Sequence, residues 1–300
     1  MNRTDWKGVF PAITTPFREG FAVDFDFLRE HVRWLLEKGC SGIVALGSLG
    51  EAATLTFDEK LAVLETCRKA ADGRAPVVAG VAGLSTAECV ALAKGAEATG
   101  CDGLMVLPAW VYRGDARETE AHAAAVIDAT ALSCMLYNNP IAYGTDYLPA
   151  QIAHLAQRHP NLHAVKESAG DVRRVTAIRE VAGDRLAVFV GVDDLIVEGI
   201  AAGAVGWIAG LVNAFPAESV LLFDLALRGD HEEARRLYEW FLPLLRLDTV
   251  PKFVQLIKLV QQEVGRGSER VRPPRLPLVG EEREAAFEVI RSAIRSRAVL

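Results

Sequence analysis

His163-Ala164-Val165-Lys166-Glu167-Ser168 reads as a short apolar strand that runs without a break into a lysine. The run belongs to a series. Segments rich in Val, Ile and Leu begin near Val9, Ile43, Val77, Leu104, Cys134, His163, Ala187 and Val205, and each is followed by a longer amphipathic stretch. A spacing of roughly 25 to 30 residues is the rhythm of parallel strands joined by helices, and near-continuous apolar strands suit a sheet buried on both faces. Helix starts are marked: Thr56-Phe57-Asp58-Glu59 sets a capping hydroxyl ahead of a Glu, and Ser85-Thr86-Ala87-Glu88 repeats the pattern. Eight such units predict an α/β fold, a (β/α)8 TIM barrel, rather than an open doubly wound sheet. No G-x-G-x-x-G follows the first strand.

After Pro216 the strand pattern stops, and residues 221–227, 234–245 and 253–264 read as helices. Residues 266–277, rich in Arg and Pro, are predicted to run over the surface to a final helix at 281–294. The expected division is therefore a catalytic barrel at 1–225 and a C-terminal helical region at 226–300. With no low-complexity linker, the appendage should pack on the barrel or on a neighbouring subunit.

Three hundred residues, 51% hydrophobic, suffice for one large core. A net charge of -6 with both signs interspersed offers no basic stripe, so neither nucleic acid nor a membrane surface is an expected partner. The longest apolar stretches, 132–136 and 186–192, are strand-length, far short of the roughly 20 residues of a membrane span. No apolar segment follows the N-terminal charges, and a cytoplasmic protein is expected. The odd, scattered Cys40, Cys67, Cys89, Cys101 and Cys134 read as core residues in a reducing compartment. No metal and no cofactor is expected: His31, His122, His154 and His159 fall in helical stretches, and His163 starts its strand rather than ending it.

A barrel of this kind works at the C-terminal ends of its strands. There stand Thr14-Thr15, Gly47-Ser48-Leu49-Gly50-Glu51, Pro108-Ala109-Trp110, Tyr137-Asn138-Asn139-Pro140, Lys166-Glu167-Ser168, Gly191-Val192-Asp193-Asp194 and Gly210-Leu211-Val212-Asn213. Desolvation inside an apolar barrel lowers a lysine's pKa toward the range where its neutral amine attacks carbonyls. A buried ion pair, for example to Asp193, would use the same position, and strand placement alone does not choose between them. Tyr137 should neighbour Lys166 across one strand spacing, either as a proton carrier or as a hydrogen-bonded rim aromatic. The Gly47 to Glu51 turn offers backbone N–H groups and a hydroxyl for a carboxylate.

Together the Gly47-Ser48-Leu49-Gly50-Glu51 turn, Tyr137-Asn138-Asn139-Pro140 with Gly144 beyond it, Val165-Lys166-Glu167-Ser168, and Gly191 with Asp193-Asp194 resemble the dihydrodipicolinate synthase and N-acetylneuraminate lyase superfamily. The resemblance covers nearly the whole chain. It implies Lys166 as a Schiff-base lysine, Tyr137 as proton relay, and Ser48 with the Leu49 amide as carboxylate ligands. It further implies a substrate site of Gly47, Ser48, Leu49, Trp110, Asn139, Tyr143, Gly191, Asp193 and Ile208, taking a small 2-oxo acid or cyclic imine. A homotetramer built from dimers is implied as well.

There are departures. Where the synthase places an arginine, two residues after the Pro of the tyrosine motif, this chain has Ala142. Where the synthase lends a tyrosine to the adjacent subunit it has Trp110, with Tyr112 following, and Leu49 replaces a second threonine. These argue against the synthase reaction. The tyrosine motif through Gly144, with Val192-Asp193-Asp194 and 204–216, looks most like a subgroup that deaminates and dehydrates 1-pyrroline-4-hydroxy-2-carboxylate to 2-oxoglutarate semialdehyde. A 2-keto-3-deoxy sugar acid dehydratase or a pyruvate-releasing aldolase fits the same features, and a non-catalytic ligand sensor is the alternative of another class. Asp193 and Asp194 make the seventh strand's end acidic, which disfavours a phosphorylated substrate. Arg173-Arg174 and Arg235-Arg236 read as solvated helix faces, and Trp34 and Trp240 as packing residues.

Overall fold

The structure is a computed structural model and describes residues 1–297. β1 (Gly8–Pro11) leads to α1 (Phe25–Glu37), β2 (Ile43–Ala45) to α2 (Phe57–Ala71), and β3 (Val77–Val81) to α3 (Thr86–Ala98). β4 (Gly103–Val106) leads to α4 (Ala116–Ile127), and β5 (Ser133–Asn138) to the one-turn α5 (Pro140–Tyr143) and then α6 (Pro149–Arg158). β6 (Leu162–Glu167) is followed by α7 (Arg173–Ala182), β7 (Ala187–Val190) by α8 (Ile196–Ala201), and β8 (Gly206–Ala209) by α9 (Pro216–Arg228). The expected capping hydroxyls are in place, Thr56 accepting from the Glu59 N–H and Ser85 from the Glu88 N–H, both at 3.2 Å.

All eight strands are parallel, in the order β1-β8-β7-β6-β5-β4-β3-β2. The ring closes between β1 and β2 by one parallel bridge, Ala12 to Val44, where the Ile13 N–H donates to Val44 O at 2.9 Å. This is the predicted (β/α)8 TIM barrel.

Alternation along each strand divides the core in two. Val165 and Glu167 face the helix layer, whereas Ala164 and Lys166 face the barrel interior with Met135, Tyr137, Phe189 and Ile208. At the N-terminal end of the strands Trp6 packs on Phe10 and Phe189, both at 6.0 Å between ring centroids, and its indole N–H donates to Ser133 Oγ at 2.7 Å. An apolar plug thus shuts the barrel at the end away from the strand C-termini, and the sequence reading had not assigned it.

The division expected at 225/226 falls inside α9, the helix that follows β8. Beyond it α10 (His231–Leu245), α11 (Phe253–Glu263) and α12 (Gly280–Arg295) pack on the barrel and on one another. The stretch 266–277 does cross the surface, but as a fastener. Arg270 donates to Phe17 O at 2.8 Å, and Arg272 binds Thr54 O at 2.9 Å and Glu59 at 2.8 Å. Arg174 is likewise no solvated side chain: it is 16% exposed and bonded to Asp146. Arg235 and Arg236 do lie on an exposed face, each paired with a glutamate one turn away. All five cysteines are buried free thiols. Among the described residues no helix is long and apolar enough to cross a membrane.

Candidate active site

The β5–β6 register sets Tyr137 directly beside Lys166. Strand alternation turns both inward, and the Lys166 ammonium lies 4.3 Å from the centre of the Tyr137 ring. Across β7 the chain turns at Gly191, where a Cβ would stand 2.4 Å from Lys166 Cε and 2.0 Å from Ser168 Oγ. Gly191 therefore serves the lysine: any other residue would push the amine out of line.

The ion pair weighed against a nucleophilic Lys166 is not formed. Asp193 is fully buried, and its carboxylate accepts instead from the backbone N–H groups of Gly210 at 3.1 Å and Leu211 at 3.0 Å. Burial pushes the Lys166 amine down to about 8, against the pull of the Asp248 and Asp193 carboxylates. An amine so placed is neutral in a useful fraction of molecules near neutral pH, and a neutral amine can add to a carbonyl or imine carbon. Asp194 points outward to Arg246 at 3.6 Å, so only one of the two expected acids faces the mouth.

Burial raises the Tyr137 phenol to about 12, opposed by the Asn139 amide, which donates to the phenol oxygen at 2.9 Å. Asn139 Oδ1 also accepts from the Ala142 N–H at 2.9 Å, capping α5. Asn139 thus positions Tyr137 with one N–H of its amide. Tyr143 follows on α5, with its ring edge-on to Tyr137 at 5.9 Å and its hydroxyl hydrogen-bonded to Ser48 Oγ. Two tyrosines of one chain and the Ser48 hydroxyl thus converge on the interior. Trp110 is half-buried against the same inner cluster, while Tyr112 turns to the exterior and bonds Glu118 at 3.0 Å. Ile208 is buried in the inner layer of β8.

In the Gly47 to Glu51 turn, Gly47 and Leu49 are buried and Ser48 half-buried. Glu51, counted with the cradle from sequence, turns away in a left-handed conformation (φ 52°) and pairs with Lys258 of α11, both side chains being at most 1% exposed. A second brace lies behind β1. His31 donates from Nε2 to Asn213 Oδ1 at 3.0 Å, the Asn213 amide donates to Ala12 O at 2.8 Å, and Thr14 donates to Gln261 Oε1 at 2.8 Å. Glu51 and Asn213 therefore hold the mouth's loops.

Sequence reasoning missed Asp248. It ends a short turn, Arg246–Asp248, between α10 and α11 and delivers a carboxylate to the barrel from outside it. Its only mark in the sequence is a lone acid between apolar helices, which carries no strand-end pattern.

The model of the Dihydrodipicolinate synthetase family matches residues 5–293. The chain belongs to that family. Curated relatives include the 4-hydroxy-tetrahydrodipicolinate synthases of Pelobacter propionicus, 34% identical over 291 residues (96% of this chain, 98% of the relative), and Geotalea uraniireducens, 35% identical over 277 residues (91% and 93%). Among solved structures, dihydrodipicolinate synthase from Aquifex aeolicus superposes with a TM-score of 0.91 at 28% identity, covering 96% of this chain and 98% of that one. The Acinetobacter baumannii enzyme, solved in complex with pyruvate, gives 0.90 at 29%, covering 96% and 98%. As a member of the dihydrodipicolinate synthetase family the protein is an enzyme, a class I lyase or aldolase acting on small molecules, and the non-catalytic sensor is set aside.

Proposed function

We propose that this enzyme forms a Schiff base between Lys166 and a small 2-oxo acid or its cyclic imine, and that its substrate is 1-pyrroline-4-hydroxy-2-carboxylate. The observation that carries the first part is the Lys166 amine, desolvated inside the barrel, unpaired with Asp193 and set over the Tyr137 ring. Supporting the second part is a mouth with one carboxylate cradle, at the Ser48 turn, and Ala142 where the synthase keeps an arginine for a second carboxylate.

The Lys166 amine adds to C2 of the ring imine, and transfer of the C=N bond to Lys166 opens the ring and frees the C5 amine. A base removes a C3 proton, made acidic by the protonated imine, and the resulting enamine expels the C4 hydroxyl as water. Tautomerisation moves the double bond to C4–C5 and then to C5=N. Water releases ammonia from C5, and a second water frees 2-oxoglutarate semialdehyde from Lys166. Tyr137 and Ser48, with Tyr143 hydrogen-bonded to Ser48, carry the protons.

A second reading is the synthase reaction itself. It is favoured by the names of the relatives and by Arg113, whose guanidinium lies against Gly144, where a cation could meet a second carboxylate. For quaternary structure we assign the homotetramer of dimers, consistent with the exposed apolar side chains of Leu84, Val111 and Ile141; sedimentation velocity at the tetramer mass is the expected result.

The decisive experiment is borohydride reduction in the presence of pyruvate with peptide mass mapping. An adduct on Lys166, absent from Lys166→Ala, is expected. Ammonia release from the hydroxypyrroline, against turnover of pyruvate with aspartate semialdehyde, then separates the two reactions, and activity on the latter pair alone would overturn the deaminase assignment.

A further inference from the structure

Asp248 is buried at its inner oxygen, and that oxygen has no hydrogen-bond partner. Its carboxyl lies against Gly210, where a Cβ would stand 2.0 Å from Oδ1 and 2.6 Å from Cγ, so the glycine after β8 is what leaves it room. The Gly210 N–H, meanwhile, donates to Asp193. The two carboxylates thus meet at one residue, and both act electrostatically on Lys166 and on Tyr137. In the ring of strands β8 stands midway between β6, which carries Lys166, and β2, whose turn carries the carboxylate cradle. A group at Gly210 therefore borders the space that a substrate held at both places must fill.

The side chain is half-buried, and its inner oxygen, cut off from water with no partner, carries a desolvation cost. It caps no helix and makes no ion pair within 4 Å among the described residues. A ligand with a hydrogen-bond donor would supply the missing partner, and a ligand without one would leave the oxygen unpaired.

Resting on the Schiff-base reading of Lys166, we propose that Asp248 is a specificity-determining residue that accepts a hydrogen bond from a hydroxyl or amine on the distal carbons of the substrate. Burial and then the neighbouring Asp193 raise its pKa well above the usual carboxylate range, opposed by Lys166. The hydroxypyrroline, opened on Lys166, carries both a C4 hydroxyl and a C5 amine. The same chemistry describes other short hydroxylated 2-oxo acids.

The test compares borohydride trapping rates for three probes: pyruvate, 4-hydroxy-2-oxobutyrate and 2-oxoglutarate. Ratios within each variant cancel any change in the reactivity of Lys166. In the unaltered enzyme the hydroxylated probe should be trapped at least tenfold faster than 2-oxoglutarate, relative to pyruvate. In Asp248→Asn, and in Asp248→Ser as a smaller replacement, that ratio should fall tenfold or more, through slower trapping of the hydroxylated probe. Ratios unchanged in both variants, with the Lys166 adduct intact, would overturn the role of Asp248 alone. Failure of every probe to label Lys166 in the unaltered enzyme would overturn the Schiff-base reading, and this inference with it.

Discussion

The Lys258 ammonium on α11 is bound to the carboxylate of Glu51, the residue that ends the Ser48 turn. Thr15 O and Arg270 O each accept from the same nitrogen at 2.8 Å, and the Phe17 ring lies 4.4 Å below it. Every donor is used, which is the condition under which a buried pair is tolerable. Removing one partner is different. Lys258→Met would leave the Glu51 carboxylate buried without its main counter-charge, at a cost of about 3–5 kcal/mol, read by urea unfolding. Adding Glu51→Gln should recover part of that loss, and a double variant no better than the single one would contradict the account.

Lys166 must be neutral to attack. With burial holding it near 8, and Asp248, Asp193 and the Tyr137 ring as its neighbours, kcat/KM should rise with pH along a limb of midpoint about 8 and level off above it. A rate profile flat between pH 6.5 and 9 would place the nucleophile elsewhere.

Tyr137→Phe keeps the ring under Lys166 and removes the hydroxyl. Turnover should fall roughly 10²- to 10⁴-fold while pyruvate still labels Lys166 on reduction. Asn139→Ala should give a smaller loss, because it frees the phenol's orientation without removing it. Equal losses in the two variants would reverse that assignment of roles.

His31 is neutral in the folded protein, since burial lowers it from 6.5 to about 4, opposed by its bond to Asn213. The unfolded chain therefore binds the extra proton first as pH falls. Stability contributed by the neutral ring is complete above pH 6.5 and is lost progressively between 6.5 and about 4, amounting to ~3 kcal/mol. His31→Gln retains an N–H for Asn213, and its melting temperature should decline less steeply over that range. Parallel curves would show that another group titrates.

The positions of the barrel strands and of the Lys166–Tyr137 pair were legible because periodicity is local: a period of two within a strand decides which side chains face inward, and adjacent strands then bring them together. Asp248, Trp6 and Arg272 were not, because each acts on residues far away in the sequence, and no local pattern records that. Arg174 resembled a solvated helix residue for the same reason, its partner Asp146 lying before the preceding helix and strand. Glu51 was read with its neighbours as part of the cradle. Its left-handed backbone, invisible in the residue types, turns it the other way.

The single bridge between β1 and β2 bears on how the chain is made. Both strands precede the other six in the chain, and the contacts that fasten the loops beyond them, from Gln261, Lys258, Arg270 and Arg272, come from residues that follow the whole barrel. The loops at that seam thus gain these fasteners only once the C-terminal helices are in place. A chain stopped before residue 258 would hold Lys166 and Tyr137 yet lack the stitches that shape the mouth around them.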